Sequence, residues 1–207
     1  MTVVDWYLIR HAPVRAAQEK LYQSADEPAD LSDTANLDRL CGHLPQGAQW
    51  FSSPLARART TAEALAARME VRPEITTDDR LREQDFGDWF GLSFADLWRE
   101  IKDLPPHNWS ILAADSRPPG GESFLSVWNR VGGFIDHFNA VENKKSRIIV
   151  SHAGVIRAMI GHILAMSPDR ALGFALDPLS LTHLQYSDRD YRGGQWRLVK
   201  MNETFGE

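Results

Sequence analysis

Two short stretches, Trp6-Tyr7-Leu8-Ile9 and Ile148-Ile149-Val150, are apolar at every position instead of alternating with polar residues. A strand without a polar face is buried on both sides, which marks a largely parallel sheet covered by helices on each face. Each stretch runs into a polar pair, Arg10-His11 and Ser151-His152. Between them lie further elements of both kinds. Gln49–Ser52 and Ile75–Thr77 read as short strands, and Leu31–Leu40 as a helix. Ser53, as N-cap, and Pro54, at the first helical position, open a helix through about Arg68. Glu122–Val141 carries Phe124, Val127, Trp128, Val131, Phe134, Ile135 and Phe138 at helical spacing. After a His152-Ala153-Gly154 turn, Val155–Met166 repeats that pattern. Leu181–Tyr186 and Gln195–Met201 form a hairpin around Arg192-Gly193-Gly194.

Strands alternating with helices predict an α/β fold, a three-layer α/β/α sandwich with a mostly parallel central sheet. The stretch 80–121 breaks the pattern. Pro105-Pro106, Pro118-Pro119 and Gly120-Gly121 punctuate it, with one helix over Phe94–Lys102, so it reads as a small cap inserted into a single domain spanning 1–207. In such sheets ligands sit beyond the carboxyl ends of the strands. Arg10-His11, Ser52-Ser53 and Ser151-His152 all fall there, so three separate segments are expected to meet at one edge.

Composition removes some partners. The net charge is −5 over 207 residues, which offers no general field for nucleic acid or anionic lipid. An anionic ligand must then be held by a few clustered cations. No apolar run reaches the ~18 residues of a membrane span, the first residues lack the layout of a secretory signal, and Cys41 is the lone cysteine. A cytoplasmic chain is expected. The seven histidines show no close ligand pairing, so neither a metal nor another cofactor is expected.

The residues at the predicted edge suit phosphoryl transfer. Guanidinium groups match phosphate oxygens. A neutral histidine with one ring nitrogen anchored can attack phosphorus, and a carboxylic acid can protonate the leaving oxygen. Arg10, His11, Arg57, Glu83 and His152 supply this set, and the backbone amide of Ala153 starts a helix, adding a donor for an anion. Asp85, Asp88 and Glu122 are nearby competitors for the role of Glu83. Arg59 reads as a solvated charge, Arg157 as structural support, and His137 and His162 as surface or packing residues.

Four segments carry a family resemblance. They are Leu8-Ile9-Arg10-His11-Ala12; Ser52-Ser53-Pro54-Leu55-Ala56-Arg57-Ala58-Arg59-Thr60-Thr61-Ala62; Leu81-Arg82-Glu83-Gln84-Asp85-Phe86-Gly87-Asp88-Trp89-Phe90-Gly91; and Ser151-His152-Ala153-Gly154-Val155-Ile156-Arg157. In order and content they resemble the histidine phosphatase superfamily, the phosphoglycerate mutase-like enzymes. The resemblance implies His11 as nucleophile and Glu83 as proton donor. It implies a phosphate pocket of Arg10, Arg57 and His152, with no metal. It departs at Ala12–Ala17, where Ala17 stands in place of a phosphate-binding Asn and Pro13 in place of a Glu; Arg15 is the nearby cation that would compensate. Only Arg117 stands where mutases carry an arginine pair, so hydrolysis is expected over mutase transfer; the remaining alternative is a catalytically silent phospholigand-binding module. Arg10-His11-Ala12-Pro13, Tyr22, Asp26-x-Pro28, Asp85-Phe86-Gly87-Asp88-Trp89 and Pro118-Pro119-Gly120-Gly121-Glu122-Ser123 are similar to the α-ribazole phosphatase type, with Gln23 departing from it. The implied substrate is a small phosphorylated metabolite, with α-ribazole 5'-phosphate the subtype's own. A homodimer is left open.

Overall fold

A computed structural model describes residues 2–14, 27–139 and 145–206. Six strands form one sheet: β1 Val3–Arg10, β2 Gln49–Ser52, β3 Ile75–Thr77, β4 Arg147–Ser151, β5 Leu181–Ser187 and β6 Trp196–Glu203. Their spatial order is β3-β2-β4-β1-β5-β6. The first four run parallel; β5 is antiparallel to β1, and β6 is antiparallel to β5 and closes the far edge. The helices are α1 Thr34–Cys41, α2 Ala56–Ala66, α3 Phe94–Ile101, α4 Phe124–Asn139, α5 Ala153–Ile163 and α6 Pro168–Ala171. Every strand foreseen in the sequence forms where it was expected, β3 over the same three residues.

The strands sort their side chains by the two-residue period of the pleat. Trp6 and Leu8 of β1, Phe51 of β2 and Ile149 of β4 pack with Val127, Val131 and Phe134 of α4 and Val155 and Met159 of α5. Ile9, Trp50, Ile148 and Val150 face the other way, toward Leu37 and Leu40 of α1 and Ala58, Ala62 and Leu65 of α2. Both faces of β1 and β4 are therefore covered, which gives the three layers and explains the non-alternating sequence of these strands. Arg147 is the exception among the residues of β4, all of which are buried; its guanidinium lies over the Trp6 and Phe138 rings at 5.0 and 5.2 Å, so its charge is held against aromatic faces.

Residues 86–112 have a small core of their own, with Trp89, Leu97, Ile101 and Leu112 buried together. Ser93 caps α3, its hydroxyl accepting from the Asp96 amide at 3.1 Å. Two single 3-10 turns, over Asp79–Leu81 and Gly87–Trp89, were not foreseen, and neither was the four-residue α6.

The start of α2 corrects the sequence reading. Ser53 and Pro54 do not cap it. The helix begins at Ala56, and Leu55 is its N-cap without a side-chain hydrogen bond. The Ser53 amide is still in the strand ladder, donating to Val150 O at 3.0 Å, and its hydroxyl is taken by His152. Helix α5 starts at Ala153 rather than Val155 and ends at Ile163. His152 is its N-cap, which brings the helix end up to the sheet edge.

Helix α5 packs on α4 and α6 through Gly161. A Cβ there would lie 2.5 Å from Trp128 Cζ3 and 2.8 Å from Ala171 Cβ. Alanine gains about 1 kcal/mol in helix propensity, but overpacking a core contact costs about 1–3 kcal/mol. Gly161→Ala is therefore expected to lower the urea midpoint at unchanged slope; a rise in midpoint would refute this account of the contact.

Candidate active site

The site begins with strand register. Arg10 of β1 pairs with Ser151 of β4, and Ser52 of β2 pairs with Val150. The next residues leave the sheet together: the His11 amide donates to Ser151 O at 2.9 Å and the Ser53 amide to Val150 O at 3.0 Å. The rings of His11 and His152 thus stand 5.0 Å apart, inclined at 62°.

Both rings are withdrawn from water, His11 at 2% exposure and His152 at 0%. His11 Nδ1 lies 2.6 Å from Ala12 O. A carbonyl only accepts, so Nδ1 carries the proton, and in the neutral ring Nε2 presents a lone pair. Among the described residues that Nε2, which is buried, has no hydrogen-bond partner. Burial, and then the guanidinium of Arg57, hold the His11 pKa down to about 3, with Arg10 adding to the effect and the Ala12 carbonyl opposing it. His152 is pushed well below the usual histidine range by burial first, then by His11 and Arg57. Its Nε2 hydrogen-bonds to Ser53 Oγ at 2.8 Å, and its Nδ1 has no partner among the described residues. Neutral rings beside fixed cations are the arrangement an attacking imidazole needs.

The cations come from different elements. Arg10 ends β1; its Nη1 donates to Leu176 O, and its buried Nε has no acceptor. Arg57 is the second residue of α2 and 1% exposed. Ala153 begins α5, an 11-residue helix, so its amide lies at the positive end of the helix dipole. Arg15 lies outside the described residues, as do Ala17, Tyr22, Gln23 and Asp26.

Glu83 is half-buried and reaches α5: a Cβ at Gly154 would lie 2.5 Å from Glu83 Oε1. The glycine is therefore needed where helix and carboxylate meet. The segment carrying Glu83 is fixed from below by Ser151 Oγ, which donates to Leu81 O at 2.8 Å. Two hollows flank Glu83. One, of about 430 Å³, is lined by Arg57, Arg82, Asp85, Arg117 and Arg130. The other, of about 200 Å³, is lined by Phe86, Trp109, Ile111, Phe124, Ala153 and Arg157.

The structure thus brings Arg10, His11, Arg57, Glu83, His152 and Ala153 to one edge. Of the competing acids, Glu122 is paired with Arg130 at 2.8 Å, and Asp85 caps the amide of Gly87 at 2.9 Å. Arg59 is an exposed partner of Glu63, and Arg157 holds Phe174 O at 2.8 Å. His162 packs on Trp128, ring centroids 4.1 Å apart, and His183 pairs with Asp5 at 2.7 Å. Sequence reasoning missed Ser53 as the partner of His152. It also missed Thr61, whose Oγ1 accepts from the Ala12 amide at 3.0 Å while donating to Arg57 O at 2.7 Å. Ser53 lies in the Ser-Ser-Pro-Leu segment and Thr61 on the apolar side of the following helix, beside Ala58, Ala62 and Leu65, and that position was the available signal for Thr61.

Residues 6–204 match the family model described as the histidine phosphatase superfamily (branch 1). A bifunctional protein of Mycobacterium tuberculosis is 30% identical over 161 residues, covering 75% of this chain but 40% of that protein. The chain thus spans less than half the length of that relative. An adenosylcobalamin/alpha-ribazole phosphatase of Salmonella typhimurium is 30% identical over 165 residues, 77% of this chain and 79% of that one. Among solved structures, a mycobacterial glucosyl-3-phosphoglycerate phosphatase is similar with a TM-score of 0.80 at 22% identity, over 98% of this chain and 100% of that one. That likeness is one of fold.

The depressed histidines make stability pH-dependent. A ring that resists protonation when folded leaves stability whole above its unfolded value near 6.5, and stability falls as pH drops from there toward about 3. Between pH 7 and pH 5 His11 alone is expected to cost about 2 kcal/mol. His11→Asn keeps a donor for Ala12 O without a titrating ring. Urea unfolding at the two pH values should show a smaller pH-dependent loss in that variant; an equal loss would contradict the depressed value.

Proposed function

The chain belongs to the histidine phosphatase superfamily, and from that premise we propose that it hydrolyses a small phosphomonoester through a phosphohistidine on His11. The observation that carries this reading is the His11 ring itself: buried, neutral, with its proton committed to Ala12 O and its Nε2 unpartnered. Polar atoms are seldom buried without partners. Arg10 Nε and His152 Nδ1 are in the same condition, and a phosphate would satisfy them together.

The steps follow from the groups present. Arg10, Arg57, His152 and the Ala153 amide hold the phosphoryl oxygens. The Nε2 lone pair forms a bond to phosphorus as the ester P–O bond breaks. Glu83, in its protonated form, gives its proton to the leaving oxygen. The resulting carboxylate then takes a proton from water, the water oxygen bonds to phosphorus, and the P–N bond breaks, returning neutral His11. Such a site works by positioning and by charge placed in advance.

As substrate we propose α-ribazole 5'-phosphate. The named Salmonella relative supports it, and so does the smaller hollow beside Glu83, whose aromatic and aliphatic lining suits a leaving alcohol with an apolar ring. The 80–121 segment would then act as a cap over the ester, and free Cys41 fits a cytoplasmic setting.

Brief exposure to labelled substrate followed by an alkaline quench should leave acid-labile label on the protein. His11→Ala should abolish the label and lower turnover by roughly four orders of magnitude or more. Parental turnover in that variant would end the phosphohistidine reading. A phosphate-release screen across α-ribazole phosphate, sugar phosphates and phosphoglycerates should rank the first highest in kcat/KM. A higher sugar phosphate would overturn the substrate, and phosphate moved to a second hydroxyl rather than to water would overturn hydrolysis. Gly154→Ala displaces the Glu83 carboxylate and should slow alkyl phosphates more than p-nitrophenyl phosphate, whose leaving group needs no proton; equal slowing would mean that Glu83 does not serve as donor.

A further inference from the structure

Glu83 sits on a segment with little regular structure, between the 3-10 turn at Asp79–Leu81 and the one at Gly87–Trp89. Beside the bond from Ser151 Oγ to Leu81 O, one side chain of α4 ties this backbone down. Arg130 Nη1 donates to Arg80 O at 2.7 Å, and Nη2 donates to Glu83 O at 3.2 Å and to Glu122 Oε1 at 2.8 Å. Glu122 is in turn bound along the same segment. Its amide donates to Asp85 O at 2.8 Å, its carbonyl accepts from Gln84 Nε2 at 2.9 Å, and its Oε1 accepts from the Asp85 amide at 3.2 Å.

An ion pair between a helix and the residue just before it is ordinarily a surface feature worth little. This one differs in two ways. Both side chains are about four-fifths buried, at 20% and 22% exposure. Two of the acceptors of Arg130 are also main-chain carbonyls on the Glu83 segment rather than another side chain. A planar fork with fixed donor directions can hold three acceptors in one geometry; an ammonium on a flexible stem cannot.

We propose that Arg130, braced by Glu122, is a positioning residue for Glu83, holding the backbone from which the carboxylate reaches the place where the leaving oxygen departs. This rests on the reading of Glu83 as proton donor. Arg130 also contributes to keeping His152 neutral through its charge, and that Coulombic effect must be separated from the geometric one. Lysine does so, because Arg130→Lys keeps the charge and loses the fork.

The measurement is the single-turnover rate of phosphoenzyme formation with an alkyl phosphate and with p-nitrophenyl phosphate. Loss of proton donation slows only the former directly. Glu83→Gln is expected to skew the alkyl-to-aryl ratio by two orders of magnitude or more, and Arg130→Lys by tenfold or more in the same direction. Glu122→Gln, which leaves the main-chain bonds of residue 122 intact, should give a smaller skew of the same sign. Because Arg130 acts through Glu83, Arg130→Lys should add no further skew in the Glu83→Gln background. An equal slowing of both substrates, parental rates in Arg130→Lys, or an additive skew in the double variant would each overturn the positioning role while leaving Glu83 as donor. A Glu83→Gln enzyme without skew would overturn the donor reading, and this proposal with it.

Discussion

Parallel pairing of β1 with β4, in the register that sets Arg10 opposite Ser151, is the constraint from which the site follows. The next residue on each strand is a histidine, and two chain segments far apart in sequence leave the sheet side by side. Hydrogen bonding continues one step past the strands, from the His11 amide to Ser151 O, so the two rings start from backbone that cannot drift. A one-residue slip would turn His11 to the opposite face and separate it from His152. Covering both faces of these strands specifies the register, since Trp6 and Leu8 must meet α4 and α5 while Ile9 meets α1 and α2.

Burial then does chemical work. An exposed histidine would be partly protonated near neutrality, and a protonated ring has no lone pair. Desolvation together with Arg57 and Arg10 keeps His11 neutral. The same cations that suppress protonation are placed to hold an anion, so one cluster of charge serves both ends. The cost appears as acid sensitivity, since the unfolded chain accepts protons that the folded one refuses.

Glu83 is held differently. The histidines stand on strand ends, where the ladder positions them. Glu83 stands on a loop, and a loop needs side-chain ties to place a group well. Ser151 Oγ anchors Leu81 from the sheet, the Arg130–Glu122 pair anchors Arg80 and Glu83 from α4, and Gly154 leaves room for the carboxylate at the start of α5. The small core around Trp89, Leu97, Ile101 and Leu112 gives the following segment a body of its own.

The fold class, the strands and the identity of the meeting segments were legible in the chain, because a strand buried on both faces must be apolar throughout and a core helix must repeat at its own period. Arg10, His11, Arg57 and His152 were legible as residue types at the ends of such elements, and Glu83 through the family motif that it sits in. Local rules failed where tertiary partners competed for the same atom. Ser53 has the side chain and position of an N-cap, yet His152 takes its hydroxyl and α2 starts later. Glu122 looks in sequence like a rival to Glu83, and only the fold pairs it with Arg130. The ring that the sequence marks as a nucleophile has its proton fixed by Ala12 O and one cation supplied by Arg10, both neighbours along the chain, but it owes its neutral state chiefly to burial and to the Arg57 guanidinium of α2, and those are set by packing.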